Sequence, residues 1–466
     1  MPMQSNAYVD SAAKQLIAAV DSMLRELIDR AGEYGDKQQR ITAVANECRQ
    51  LMQTPPTILV SGRMKAGKST LINALVRQKI AETAILECTN AVTVYTKGAP
   101  ERIEDVSLAN RGALHSAQSA QGVADLDGRV KVHYLPSQAL SQLNFVDTPG
   151  LGTVDVANHQ IVDGLRELTR VPWNQHGTAI DGLIYVFDST LRDDEIAHIR
   201  SLGFTTLSSV GVLSRADDFG AGAFGPSDPI EAARNRATEL SDDYSRYFSS
   251  VLAVSGLMAE SAETGAITEP LARVLSSLDT VARDTLIHEL ETEFPNCVSA
   301  SSRHKLLEVL GSYGVLEGRN SASGGAVQLQ RFLRQASGID SLAGHLGESI
   351  TFATVLSRSS YVQEKLKDLA FSCDAAEVLD YWEEHLTAQQ RLAVTIYHLL
   401  SQSSGSRVST EGVSLAEETL QMGAVEDASR AAEIHALASR KLLGLVSPLE
   451  EKLLGAVCSF TELIAP

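Results

Sequence analysis

Gly62-Arg63-Met64-Lys65-Ala66-Gly67-Lys68-Ser69 fits the pattern G-x-x-x-x-G-K-[ST] without deviation. Such a loop turns backbone N–H groups inward around a row of phosphates, and the positive end of the helix that follows adds to the attraction. On this reading Gly62, Lys65, Ala66, Gly67 and Thr70 help to bind a nucleotide. Lys68 pairs with its β- and γ-phosphates, and the Ser69 hydroxyl ligates Mg²⁺. At ordinary glycine frequencies a chance match in a chain of this size is on the order of 2%.

Three further segments extend the chemistry. Asp147-Thr148-Pro149-Gly150 ends an apolar run, where a carboxylate can hold Mg²⁺ through water and the Gly150 N–H can sense the γ-phosphate. The same four residues in isolation make a common turn; their place beyond a phosphate loop makes them the second half of that site. Ser214-Arg215-Ala216-Asp217 ends another apolar run and occupies the place of a guanine-reading N/T-K-x-D motif. Asp217 can accept two N–H bonds from guanine, a pair that adenine does not offer, and the flat Arg215 guanidinium can stack over the base. The bland reading is a strand-to-helix cap, and position decides against it. Ser255-Gly256, after the last apolar run, matches the weak final guanine-loop motif by place alone.

A switch threonine must cover the metal and the attacking water. Thr83, Thr89 and Thr93 compete, and Thr89 in Glu87-Cys88-Thr89-Asn90 is chosen for its distance from the phosphate-loop helix. After Gly150 stands Leu151, which cannot orient a water as the glutamine of small signalling GTPases does. Lys65 is a candidate to complete catalysis as an internal cation over the phosphates; the competing reading is a solvated loop lysine.

The elements that must position these residues follow from periodicity. Residues 10–52 read as helices broken near Gly32 and Gly35, with Leu16, Val20, Leu24 and Leu27 on one stripe and Ile41, Val44, Cys48 and Leu51 on the next. From Thr57 to Ser255 short apolar runs (57–60, 130–134, 143–146, 183–187, 210–213 and 251–254) alternate with helical patterns, which predicts βαβ units and a largely parallel sheet. Ala99 to Gly128 reads as an irregular excursion at the sheet edge. Beyond about residue 262 only helical stripes remain: one over Ile339–Ile350, a second from Leu379 to Leu400 begun by Asp374 as an N-cap, and a third from Leu449 to Phe460. Ser401–Gly412 reads as a loop. The expected organisation is amino-terminal helices 1–54, a GTPase domain 55–262, and a helical bundle 263–466 into which the first helices pack.

G-R-M-K-A-G-K-S-T-L-I-N-A-L, E-C-T-N-A-V-T, D-T-P-G and S-R-A-D together resemble the bacterial dynamin-like GTPases. The resemblance covers the GTPase domain and extends more weakly into Leu306–Leu310 and the helices beyond. It implies an α/β P-loop domain, with a mostly parallel sheet and helices on both faces, carried on an all-α neck and trunk. It also implies hydrolysis of GTP to GDP with Mg²⁺, self-association through the GTPase heads, in which the position of Lys65 takes part in charge compensation, and action at an anionic membrane surface or with a sister dynamin-like chain. The location implied is cytoplasmic, at the inner face of the plasma membrane when peripheral. The alternative is a soluble GTP-dependent switch whose bundle recruits a protein partner. No apolar or basic tip loop stands out in the sequence.

A net charge of −18 argues against broad capture of nucleic acid, so a ribosome-associated GTPase fits poorly. The five scattered cysteines form no C-x-x-C pair and read as reduced thiols. The first residues lack the pattern of a signal peptide. No run of about 18 apolar residues is present.

Overall fold

The computed structural model describes residues 3–80, 92–107, 129–148, 180–292, 296–402, 408–422 and 428–465. Helices α1 (Met3–Asp29) and α2 (Gln38–Gln53) form an antiparallel pair whose second member runs, through Pro55-Pro56, straight into β1 (Thr57–Gly62). β2 (Thr93–Lys97), β3 (Arg102–Ser107), β4 (Arg129–Leu135), β5 (Asn144–Asp147), β6 (Gly182–Phe187), β7 (Ser209–Ser214) and β8 (Val251–Val254) complete a sheet ordered β3-β4-β2-β5-β1-β6-β7-β8. The five strands from β5 to β8 are mutually parallel, as is the β2–β4 pair; β2–β5 and β3–β4 are antiparallel. β1 and β6 are buried along their whole length because neighbours cover both edges and helices cover both faces. The excursion expected over 99–128 is in part a strand, Arg102–Ser107, whose Arg102, Glu104 and Asp105 suit a sheet edge that must not pair with another chain.

The helices that follow are α3 (Lys68–Val76), α4 (Asp193–Leu202), α5 (Pro229–Asp243), α6 (Gly256–Glu263), α7 (Glu269–Ser276), α8 (Arg283–Glu291), α9 (Ala300–Glu317), α10 (Ala326–Ser337) and α11 (Ile339–His345). Their cores correct the boundary expected at residue 262. Leu271, Leu286, Leu306, Leu310 and Leu333 share one core with Leu59, Tyr185 and Leu213 of the sheet. Ile339, Leu342, Leu346 and Ile350 are buried against Ile58, Val60 and Val210 on the opposite face. Helical periodicity shows that a helix has an apolar face, not what covers it. The bundle core takes over only at Phe352.

That bundle consists of α1 and α2 with α12 (Thr351–Ser372), α13 (Asp380–His385), α14 (Ala388–Ser401), α15 (Thr410–Gln421), α16 (Ala428–Leu442) and α17 (Pro448–Ile464). Leu16, Val20, Leu24, Leu27, Ile41 and Cys48 are buried there. A π-helical stretch, Leu346–Ile350, joins α11 to α12. The stripe from Leu379 to Leu400 is two helices rather than one. Thr387 caps α14, its hydroxyl accepting from the Gln390 N–H while the Gln390 side chain accepts from the Thr387 N–H. Asp374 is not an N-cap: at φ +47° it is the left-handed residue just beyond α12. The loop expected at 401–412 is narrower, since α14 reaches Ser401 and α15 starts at Thr410. An apolar turn is present after all. Between α16 and α17, Leu443 and Leu445 are 89% and 109% exposed, next to Arg440 and Lys441. Among the described residues no helix is long and apolar enough to cross a membrane.

One buried ion pair joins bundle to sheet. The Arg358 guanidinium on α12 meets both Asp181 carboxylate oxygens, Nε–Oδ1 at 2.9 Å and Nη2–Oδ2 at 2.7 Å, with exposures of 6% and 4%. Arg358 also donates to the carbonyls of Leu51, Thr54 and Pro55, and Asp181 accepts from the Thr57 N–H at 2.8 Å. Removing one partner strands the other charge in the interior, so Arg358→Ala is expected to lower the unfolding free energy by about 3–5 kcal/mol. A urea titration followed by circular dichroism checks this; a loss under about 1 kcal/mol would refute it.

Candidate functional site

The crevice lies outside the carboxyl ends of the parallel strands, where open α/β sheets place their ligands. β1 delivers the phosphate loop. Its last residue, Gly62, has φ +143°, and a Cβ there would stand 2.1 Å from the Val186 carbonyl oxygen of β6. Glycine alone lets the loop fold over the neighbouring strand. Arg63 donates to Asp194 of α4 at 2.9 Å and lies 3.6 Å from Glu195, which pins the start of the loop. Lys65 is exposed and held in the left-handed region at φ +65°. Gly67 then caps α3, whose first turn carries Lys68, Ser69 and Thr70.

The Lys68 ammonium is folded back across the loop, donating to the Gly62 carbonyl at 3.0 Å and the Arg63 carbonyl at 2.8 Å. Burial lowers its pKa, and the Asp147 carboxylate opposes that. Asp147 ends β5 in register with Val60 of β1. Burial pushes its carboxyl up to about 6, against the Lys68 charge and the Thr148 N–H, which pull it down. Its Oδ1 is buried with no hydrogen-bond partner among the described residues. A dry, unpartnered carboxylate oxygen is costly unless a cation or donor meets it. With the Ser69 hydroxyl it forms an oxygen-only donor set, which fits a hard dication such as Mg²⁺.

The other half of the crevice comes from β7 and β8. Ser214 closes β7, and Arg215 follows in the left-handed region at φ +54°. Its Nη2 donates to the Lys65 carbonyl at 2.8 Å, which ties this loop to the phosphate loop. Burial pushes the Asp217 carboxyl up, and a hydrogen bond from the Ser255 hydroxyl holds it down. Ser255 in turn caps α6, its Oγ accepting from the Met258 N–H at 3.3 Å. A cavity of about 640 Å³ joins the halves, lined by Lys65, Gly67, Lys68, Ser69 and Thr70 from the first and by Ser214, Arg215, Asp217, Gly256 and Leu257 from the second. That volume is typical of a cofactor or nucleotide site.

Of the residues named from the sequence, Gly62, Ala66, Asp147 and Ser255 stand behind the lining rather than in it. Thr89, Gly150, Leu151 and the competing Thr83 lie outside the described residues. Thr93 is a buried strand residue, opposite Asp147 in the β2–β5 register. Glu260 and Ser312 also line the cavity, and no motif pointed to them. Glu260 accepts from the Asn73 side chain at 2.6 Å, joining α6 to α3.

Residues 58–171 match the model of the dynamin family. The isoniazid-induced protein IniC of Mycobacterium tuberculosis (strains CDC 1551 / Oshkosh and H37Rv) is 29% identical over 292 aligned positions, covering 56% of this chain. The "Probable transmembrane GTPase FZO-like, chloroplastic" of Arabidopsis thaliana is 22% identical over 211 positions, 45% of this chain. The chain spans about half the length of the mycobacterial relatives, 55%, and 20% of the plant one. A solved bacterial dynamin, from an oligomerised pair described as sensing and tethering membranes, is 14% identical; the match covers 99% of this chain and 76% of that one, at a TM-score of 0.36. The family match takes in both the strand that delivers the phosphate loop and the strand that ends in Asp147. On that footing residues 58–171 carry a dynamin-family GTPase segment, and the chain is similar to the bacterial dynamin-like GTPases.

Proposed function

We propose that this protein binds GTP in the crevice, hydrolyses it to GDP and phosphate, and couples the cycle to association of its heads at a membrane surface. One observation carries the reading. A G-x-x-x-x-G-K-S loop and a half-buried carboxylate, Asp217, line one cavity of nucleotide size. Lys68 would hold the β- and γ-phosphates once its contacts with the loop carbonyls are exchanged for phosphate oxygens. Gly62, Ala66, Gly67 and Thr70 shape and line the loop, and Ser214, Arg215, Ser255 and Gly256 frame the base. Ser69 and Asp147, the latter through water, would hold Mg²⁺, which when bound neutralises charge on the β- and γ-phosphate oxygens. Thr89 remains the proposed cover of that metal, and Gly150 the sensor of the γ-phosphate. A calorimetric titration with GTP and ATP in Mg²⁺ buffer tests the assignment: tight GTP and weak ATP binding is expected, and equal affinities would overturn it.

Leu151 supplies no water-positioning group within the chain's own motif, and Lys65 projects from the loop, exposed. Head association is the proposed remedy, with Lys65 compensating charge in the transition state. Turnover per molecule should then rise with protein concentration, and Lys65→Ala should lower kcat more than GTP affinity, the mark of an interaction made in the transition state. Specific activity flat across about a hundredfold range of concentration, with the Lys65→Ala loss confined to KM, would favour the soluble switch. The exposed Leu443 and Leu445 beside Arg440 and Lys441 support the membrane part of the proposal, since such a turn can seat apolar side chains below anionic headgroups.

A further inference from the structure

α9 lies outside every nucleotide motif of the chain, yet it breaks beside the base end of the cavity. At Gly311, φ is +66° and ψ is 173°, a conformation open in practice to glycine alone. A Cβ at this position would stand 3.3 Å from Asp217 Oδ2 and 3.2 Å from Leu257 Cδ2. The next residue, Ser312, lines the cavity together with Asp217 and Leu257.

The break is anchored on both sides of the base site. Ser261 of α6, the helix that Ser255 caps, donates to the Val309 carbonyl just before the break. Just after it, the Tyr313 hydroxyl donates at 3.2 Å to Asp228, whose other carboxylate oxygen caps α5 through the Ile230 N–H. Leu306, Leu310, Val315 and Leu316 are buried in the core beneath. With the helix anchored at these points, a side chain at 311 would press on Asp217 and Leu257, which must give by a few tenths of an ångström.

We propose that the break makes α9 a third wall of the guanine subsite: Gly311, by carrying no side chain, leaves the Asp217 carboxylate free to take its base-reading position, and Ser312 faces the base. The Ser255 hydroxyl holds Asp217 on one side, and on the other the missing side chain at 311 leaves its Oδ2 the space that a Cβ would crowd at 3.3 Å. A carboxylate so placed can present both oxygens to the N1–H and 2-amino group of guanine. This rests on the guanine reading above and adds to it a residue far from the motifs in sequence.

Isothermal titration of the full chain with GDP, ADP and inorganic tripolyphosphate tests it, using the wild type, Gly311→Ala and Ser312→Ala. Displacing one buried hydrogen-bonding group is expected to weaken GDP binding by about tenfold or more in Gly311→Ala. ADP and tripolyphosphate should bind as they do to the wild type. Ser312→Ala should narrow the preference for GDP over ADP by about threefold. Equal loss for all three ligands, or an unchanged GDP-to-ADP ratio in both variants, overturns the proposal. If circular dichroism shows Gly311→Ala unfolded, Ser312→Leu decides instead: it must weaken GDP and spare tripolyphosphate, and unchanged GDP binding overturns the proposal. A wild type that binds GDP and ADP alike would refute the guanine reading itself, a result separable from all of these.

Discussion

Lys68→Ala is expected to lower GTP turnover by about 10³-fold or more, the largest effect of any single side chain in the crevice. Its ammonium is already positioned, buried and fixed by two loop carbonyls at 3.0 and 2.8 Å. When a phosphoryl group arrives it exchanges these carbonyls for phosphate oxygens while its charge stays within the loop. In a water-poor site a fixed positive charge stabilises the charge that develops on the transferring group far more than it would in bulk water. Phosphate release in a single-turnover assay checks this. Wild-type turnover in the variant would remove the phosphate loop from the mechanism.

Asp217→Asn is expected to cut the preference for guanine over adenine by about 10⁴-fold. The carboxylate can accept two hydrogen bonds; the amide keeps one acceptor and puts a donor where guanine also donates. Xanthine carries a carbonyl in place of the 2-amino group, so the same variant should gain affinity for xanthosine triphosphate. Competition binding among GTP, ATP and XTP measures both changes together. An unaltered order of preference would show that Asp217 caps a turn and reads no base.

The phosphate loop was legible because its requirements are local: eight consecutive residues carry both the glycines and the cations. Its supports were not, since the Val186 carbonyl that excludes a Cβ at Gly62, and Asp194, which pins Arg63, come from other elements. β1 and β4 to β8 could be read from their apolar runs, whereas β2, Thr93–Lys97, was missed although it is paired on both sides. β3 could not, because an edge strand looks like a loop when its residues are charged. The start of α14 did have a signal in Thr387-x-x-Gln390, a capping box inside what reads as one continuous stripe. Nothing in a helical stripe tells whether a sheet or another helix will cover it, so α7 to α11 read as bundle when they belong to the sheet. Gly311 is likewise silent, because one glycine in a helical pattern gives no sign that it will lie beside Asp217.

Both ends of the described chain contribute to the bundle, and this sets an order on the ribosome. The apolar stripe of α1 and α2 emerges first, but apart from Leu207 the later residues that share its core begin at Phe352. At ordinary elongation rates of 5–20 residues per second, the roughly 300 residues between them take about 15–60 s to synthesise. During that interval the two helices can cover only one another, while the sheet, whose strands and flanking helices lie within the intervening segment, can collapse before them. The loop that must finally close around this domain is long, which slows the last docking step. Leu16, Val20, Leu24 and Leu27 are thus the apolar surface most exposed to mispairing in the nascent protein, although in the finished one they are sealed from solvent.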